Sequence, residues 1–141
     1  MFKTIKKYMV SIALIFVSLF AIAGCGSEGN EYVGSYKVTS YVNSELNVSR
    51  EEYVANPSSY DEWDISGWFE MTVKLNKNGK FEQHQERSSY VQEGVWSVTG
   101  DKIKLTVDGE LYFEFIIIND STLEFFPYSP YSNDKLILSK V

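Results

Sequence analysis

The chain has 141 residues, 44% hydrophobic and 16% aromatic, with 13 basic and 19 acidic residues, one histidine, one cysteine and a formal net charge of −6. That length holds one domain with its own core and not two. The acidic balance argues against a nucleic-acid partner, whose phosphates are bound through positive charge, and a single thiol excludes an internal disulfide.

Lys3, Lys6 and Lys7 open the chain, and no charge follows from Tyr8 to Ala23. A charged start, an apolar run and a small-residue exit form the layout of a secretory signal. As a helix, Met9 to Ala23 spans only about 22 Å, short of a hydrocarbon core of about 30 Å. A cleaved signal over residues 1–24 is therefore expected rather than a permanent span. At its exit, Ile22-Ala23-Gly24-Cys25 resembles the lipobox of bacterial lipoproteins: an aliphatic residue, two small residues and a cysteine. The resemblance implies that Cys25 is diacylated, that cleavage falls just before it, and that the protein sits lipid-anchored on the extracytoplasmic face of a cell membrane. Residues 25–31, polar and glycine-containing, then form the lipidated N-terminus and a flexible tether. Removing residues 1–24 takes away those three lysines and no acid, leaving 10 basic residues against the 19 acidic ones. The membrane partner is thus met through the diacylglyceryl cysteine and not through attraction to anionic lipid.

Residues 32–141 mostly alternate with period two. In Phe69-Glu70-Met71-Thr72-Val73-Lys74-Leu75 one face is apolar and the other polar, as a half-buried strand requires. Strands are predicted near 33–42, 67–76, 80–88, 93–98, 102–107, 110–118, 122–127 and 134–140. Turn signals separate several of them, among them Asn78-Gly79, Gly100-Asp101, Asp108-Gly109 and Asn119-Asp120-Ser121. The irregular part is 43–66. There Ser49-Arg50-Glu51-Glu52 fits a capping box, Asn56-Pro57 ends the short helix, and Tyr60-Asp61-Glu62-Trp63-Asp64 is a charged aromatic loop. About eight short strands joined by tight turns predict an all-β fold, an antiparallel barrel or sandwich.

Two stretches echo each other: Gly34-Ser35-Tyr36-Lys37-Val38 and Gly94-Val95-Trp96-Ser97-Val98. Together with Leu75, Gly79, Phe81 and Gly100-Asp101-Lys102-Ile103-Lys104-Leu105, they are similar to the pattern of small bacterial lipocalin-like lipoproteins. The resemblance covers roughly residues 32–140. Tyr36 replaces the usual tryptophan at the first position, and the 43–66 loop is long. It implies a single up-and-down β-barrel of about eight strands with one short helix and a calyx, over residues 32–141.

Chemistry finds little support. His84 is the sole imidazole and reads as a solvated strand residue; a zinc site needs three or four ligands, so no metal or other cofactor is expected. Asp61, Glu62 and Asp64 lack the alternating spacing of a calcium loop, and no phosphate loop, nucleophile elbow or dinucleotide fingerprint is present. A noncatalytic protein, monomeric, is expected. If Phe69, Met71, Val73 and Leu75 point inward, then Phe81, Gln83 and Gln85 line the same interior, apolar turning polar toward one end. The first expectation is binding of a small ligand in the calyx through Tyr36, Met71, Phe81, Gln83, Trp96 and Phe113. Against it stands a barrel filled by its own side chains. The second expectation is a protein-interaction module, such as an inhibitor, immunity or envelope assembly factor, acting through loop 58–66 with Tyr60, Asp61, Trp63 and Asp64. Tyr112, Ile116 and Ile118 are expected to form an outward apolar stripe, packed under the short helix or open to a partner, and Phe125 to Tyr131 to rim the barrel mouth or pack at its end.

Overall fold

The computed structural model describes residues 29–141; Cys25, the apolar run and most of the tether lie outside them. Nine strands form: β1 (Gly34–Val42), β2 (Asn47–Ser49), β3 (Met71–Leu75), β4 (Lys80–Gln85), β5 (Val91–Thr99), β6 (Lys102–Val107), β7 (Glu110–Asn119), β8 (Thr122–Phe125) and β9 (Lys135–Lys140). β1 and β3 to β9 pair in sequential order, all antiparallel, and β9 returns to β1 from Lys140 opposite Tyr36 to Lys135 opposite Val42. That closes an eight-stranded barrel. β2, inside the irregular 43–66 segment, is the extra strand: Gly34 to Lys37 pair with β3, and the same edge of β1 continues from Ser40 to Val42 with β2.

The alternation works as expected where both neighbours are in register. Met71, Val73 and Leu75 are buried, as are Ile103 and Leu105 on β6 and Leu136 and Leu138 on β9. At Asp108-Gly109, φ values of 52° and 82° give the doubly left-handed two-residue turn that matches strand twist. Tyr36, Phe81, Phe115, Leu123 and Leu138 have no exposed surface, so the axis of the barrel is packed with its own side chains.

The echoed Gly-x-aromatic stretches place Tyr36 and Trp96 at the same end of the barrel, where each finds a carbonyl. The Tyr36 hydroxyl donates to Tyr32 O at 2.7 Å, and Trp96 Nε1 donates to Asn76 O at 2.8 Å. The turns at 76–79, 100–101 and 120–121 and the chain entry through the 3₁₀ turn Asn30–Tyr32 share this end.

The opposite end carries the irregular elements. Helix α1 (Arg50–Ala55) starts at the expected cap: Ser49 Oγ accepts from Glu52 N at 3.1 Å, and the helix stops before Asn56-Pro57. A 3₁₀ segment (Pro57–Trp63) follows, then helix α2 (Ser66–Phe69). The strand predicted from residue 67 therefore begins only at Met71. Ile65 and Phe69 are both buried, a four-residue spacing that a helical turn satisfies, and Phe69 N bonds Ile65 O at 3.3 Å. Tyr53 of α1 stacks on Phe69 at 4.8 Å, which caps the barrel end. Gly67 on α2 has open space around its Cα and no left-handed φ. Gly67→Ala is expected to raise stability by up to about 1 kcal/mol, read by urea unfolding, because alanine loses less entropy in a helix.

Candidate functional site: a cleft in the barrel wall

β7 is the irregular wall strand. Its pairing with β6 shifts between Leu105 and Thr106, so Phe113 lies opposite Leu105 and Leu111 opposite Thr106, leaving Tyr112 as the extra residue of a bulge. A bulge turns a side chain out of the two-residue alternation. Tyr112 accordingly packs with the inner aromatics, 4.4 Å from Phe113 and 6.0 Å from Phe81, both stacked, and its hydroxyl donates to Gln83 Oε1 at 2.5 Å. This amends the outward stripe: Tyr112 keeps an exposed edge but turns its ring onto Phe113 and Phe81, while Ile118, at a second shift between Ile117 and Asn119, stays exposed. Nor is the stripe packed under α1, which contacts β1, β2 and the 57–63 segment.

β7 also outruns its other neighbour. β8 pairs only from Ile116 to Asn119, so Glu110 to Phe115 have β6 on one side and no strand on the other. Facing that free side is the connection between β8 and β9, which bends away. Its backbone bonds close locally, Tyr131 N to Tyr128 O at 2.8 Å and Ser129 N to Phe126 O at 3.5 Å. Between the two lies a cleft of about 480 Å³, with Tyr112, Phe113 and Glu114 on one wall and Phe126, Pro127 and Ser129 on the other. Trp68 from α2 and Phe125 from β8 close its inner side; Trp68 sits 5.8 Å from Phe125 edge-on and 6.4 Å from Phe113. At the outer rim Lys102 and Glu114 form an ion pair at 3.2 Å.

The 126–134 wall is held at two points. Trp68 Nε1 donates to the Tyr128 hydroxyl at 3.3 Å, and Asp134 accepts from Ser132 Oγ at 2.6 Å and from the Tyr41 hydroxyl of β1. Those bonds, Ser132 first and Tyr41 second, lower the Asp134 pKa below its ordinary 3.8; burial raises that of Tyr41. A carboxylate depressed in the folded state stabilises fully above its unfolded pKa and stops doing so as pH falls through the folded value. Asp134→Asn should therefore unfold at lower urea than the parent at neutral pH. That difference should shrink as pH drops below 3.8 and vanish once the folded carboxylate is protonated.

The calyx residues expected from sequence fall into two groups. Tyr36, Met71, Phe81 and Trp96 are buried core, and none lines a described cleft. Phe113 lines the wall cleft, and Gln83 reaches it through Tyr112. Nearby Gln85 has its Oε1 buried without a hydrogen-bond partner, so the interior does turn polar at this end. In loop 58–66, Tyr60, Asp61 and Asp64 line one hollow of about 160 Å³ with Tyr53 and Ile65. Trp63 instead packs against the core. His84 is half exposed, its Nε2 3.6 Å from Glu82. Among the described residues no group of three or more His, Cys, Asp or Glu is placed to hold a metal ion, and no helix is long and apolar enough to cross a membrane.

Sequence alternation does not point to Trp68, and it places Tyr112 on the outer stripe rather than in a cleft. Trp68 reaches the cleft only through the helical turn at 66–69, and Tyr112 only through the bulge, neither of which alternation signals. No protein-family model matches this sequence, and no curated protein or solved structure matches it.

Proposed function

We propose that the protein is a bacterial lipoprotein, anchored through a diacylated Cys25 on the extracytoplasmic face of the membrane, whose lipocalin-like barrel is a noncatalytic, monomeric binding domain. The ligand occupies the wall cleft rather than the barrel axis. The observation that carries this reading is the cleft itself, about 480 Å³, with the aromatic rings of Trp68, Tyr112, Phe113 and Phe125 along it and Lys102, Glu114 and Ser129 as polar groups on its lining, the mixture of apolar walls and placed polar groups that small-ligand sites use. The packed axis supports the same choice, since Tyr36 and Phe81 leave no surface exposed there. Chain entry at the far end of the barrel agrees with an anchor that keeps the α1 and α2 end away from the membrane. A partner surface on loop 58–66 is the second reading, favoured by the exposed Asp61 and Asp64 around a shared hollow.

Native mass spectrometry of the protein drawn gently from an envelope extract tests the first reading. A reproducible small-molecule adduct is expected on the parent. It should weaken by about 30-fold on Trp68→Ala, in line with roughly 2 kcal/mol for a central aromatic anchor, with circular dichroism confirming that the variant is folded. A bare protein mass throughout, or an adduct indifferent to Trp68, removes the cleft as the site.

A further inference from the structure

Glu110 to Phe115 read Glu-Leu-Tyr-Phe-Glu-Phe, without lysine or proline; the bulge at Tyr112 blunts the near end of this edge, and Phe113 to Phe115 is the part left regular and open. The direction of its backbone groups follows from the register. Ile117 N bonds Asp101 O at 2.7 Å on the β6 side, so by two-residue alternation Phe115 and Phe113 also face β6. Glu114 then turns its N–H and C=O toward the cleft. One step further along, Ile116 is matched by Glu124 of β8. Beyond that pair β8 ends at Phe125 and the chain departs, so the next position in the barrel wall is empty of strand.

Resting on the reading that this cleft is the binding site, we propose that its ligand is an extended peptide segment, added as a strand along β7 in line with β8. A peptide is the ligand class that supplies a donor and an acceptor at strand spacing for Glu114 while its side chains fill the hollow. Up to the bulge at Tyr112 the regular free edge runs from Phe113 to Phe115, about 10 Å at strand rise, room for about three paired residues. In an antiparallel match, the residue opposite Glu114 points outward beside the Lys102–Glu114 ion pair, which neutralises itself and asks for no charge. The residues on either side point inward onto Trp68, Phe113 and Phe125. The segment recognised therefore reads apolar, polar, apolar.

The test uses full-length lipidated protein in detergent micelles and a phage-displayed library of random seven-residue peptides, followed by synthetic copies of the enriched sequence methylated at one backbone nitrogen at a time. The expected result is enrichment of alternating apolar and polar peptides whose affinity falls about tenfold when the amide facing Glu114 is methylated. Such a loss corresponds to about one backbone hydrogen bond. Methylation of the adjacent amides, which face away, should change affinity by less than about twofold. Because the change is made in the peptide, protein folding is not disturbed. No enrichment, or binding indifferent to methylation at every position, overturns the proposal. If peptides fail while an adduct lost in Trp68→Ala persists, the cleft stands as a binding site and the peptide class falls; if both fail, both fall. Sedimentation showing dimers that Glu114→Pro dissociates would assign the edge to a second copy of the chain and overturn it as well.

Discussion

Gly94→Val is expected to cost the barrel about 3 kcal/mol or more, at the upper end of what overpacking does in a core. Gly94 lies on β5 opposite Phe81 of β4. A Cβ there would stand 2.2 Å from the backbone oxygen of Thr106 and 2.5 Å from Phe81 Cε1. Rotating the ring relieves only the second contact. Thr106 O belongs to the β6 backbone at the point where the β6–β7 register shifts, so the strand itself would have to move. Against a total stability of about 5 to 15 kcal/mol for a small domain, urea unfolding followed by circular dichroism should show a midpoint far below the parent's, or no folded baseline. A midpoint within experimental error of the parent's would refute this account of the packing. Gly34 is the counterpart in the echoed stretch, yet its neighbour is different: the flexible Lys140 side chain, 3.2 Å from an added Cβ. The two glycines of one sequence pattern thus serve different contacts.

Cys25→Ala is expected to abolish acyl incorporation entirely and to stop cleavage before residue 25. Alanine has no sulfur to carry the acyl groups, and the strength of membrane attachment follows from chain number. Each buried CH₂ contributes about 0.8 kcal/mol, one myristoyl-length chain binds only marginally, and two anchor stably. The charge balance after residue 24, 19 acidic residues against 10 basic ones, repels an anionic surface and gives no electrostatic substitute for the proposed acyl attachment. Metabolic labelling with palmitate, together with intact mass, reads both effects. A variant processed and membrane-bound like the parent would refute the lipobox reading.

Most of the barrel was legible because alternation is a local signal. Met71, Val73 and Leu75, or Ile103 and Leu105, declare their buried face with no knowledge of their neighbours, and the turns at Asn78-Gly79 and Asp108-Gly109 declare where strands end. The capped start of α1 at Ser49 was legible for the same reason, a side chain bonding backbone three residues on. The candidate site was mostly illegible. Trp68 belongs to a four-residue helix set by the need to bury Ile65 and Phe69 together, and the alternating pattern ran straight through it. Tyr112, still partly exposed, stacks on Phe113 and Phe81 because β6 and β7 slip by one residue beside it, which no property of Tyr112 announces.

The sequence by itself determined an all-β domain, its strand count in the barrel, the capped helix and the positions of its turns, because each depends on contacts within a few residues. Only the tertiary structure decided that the barrel closes through β1 and β9, that its axis is filled, and that the open space lies in the wall where β8 ends before β7 does. Closure, filling and unequal strand ends depend on side chains and backbone groups that meet across dozens of residues, and no local pattern carries that information.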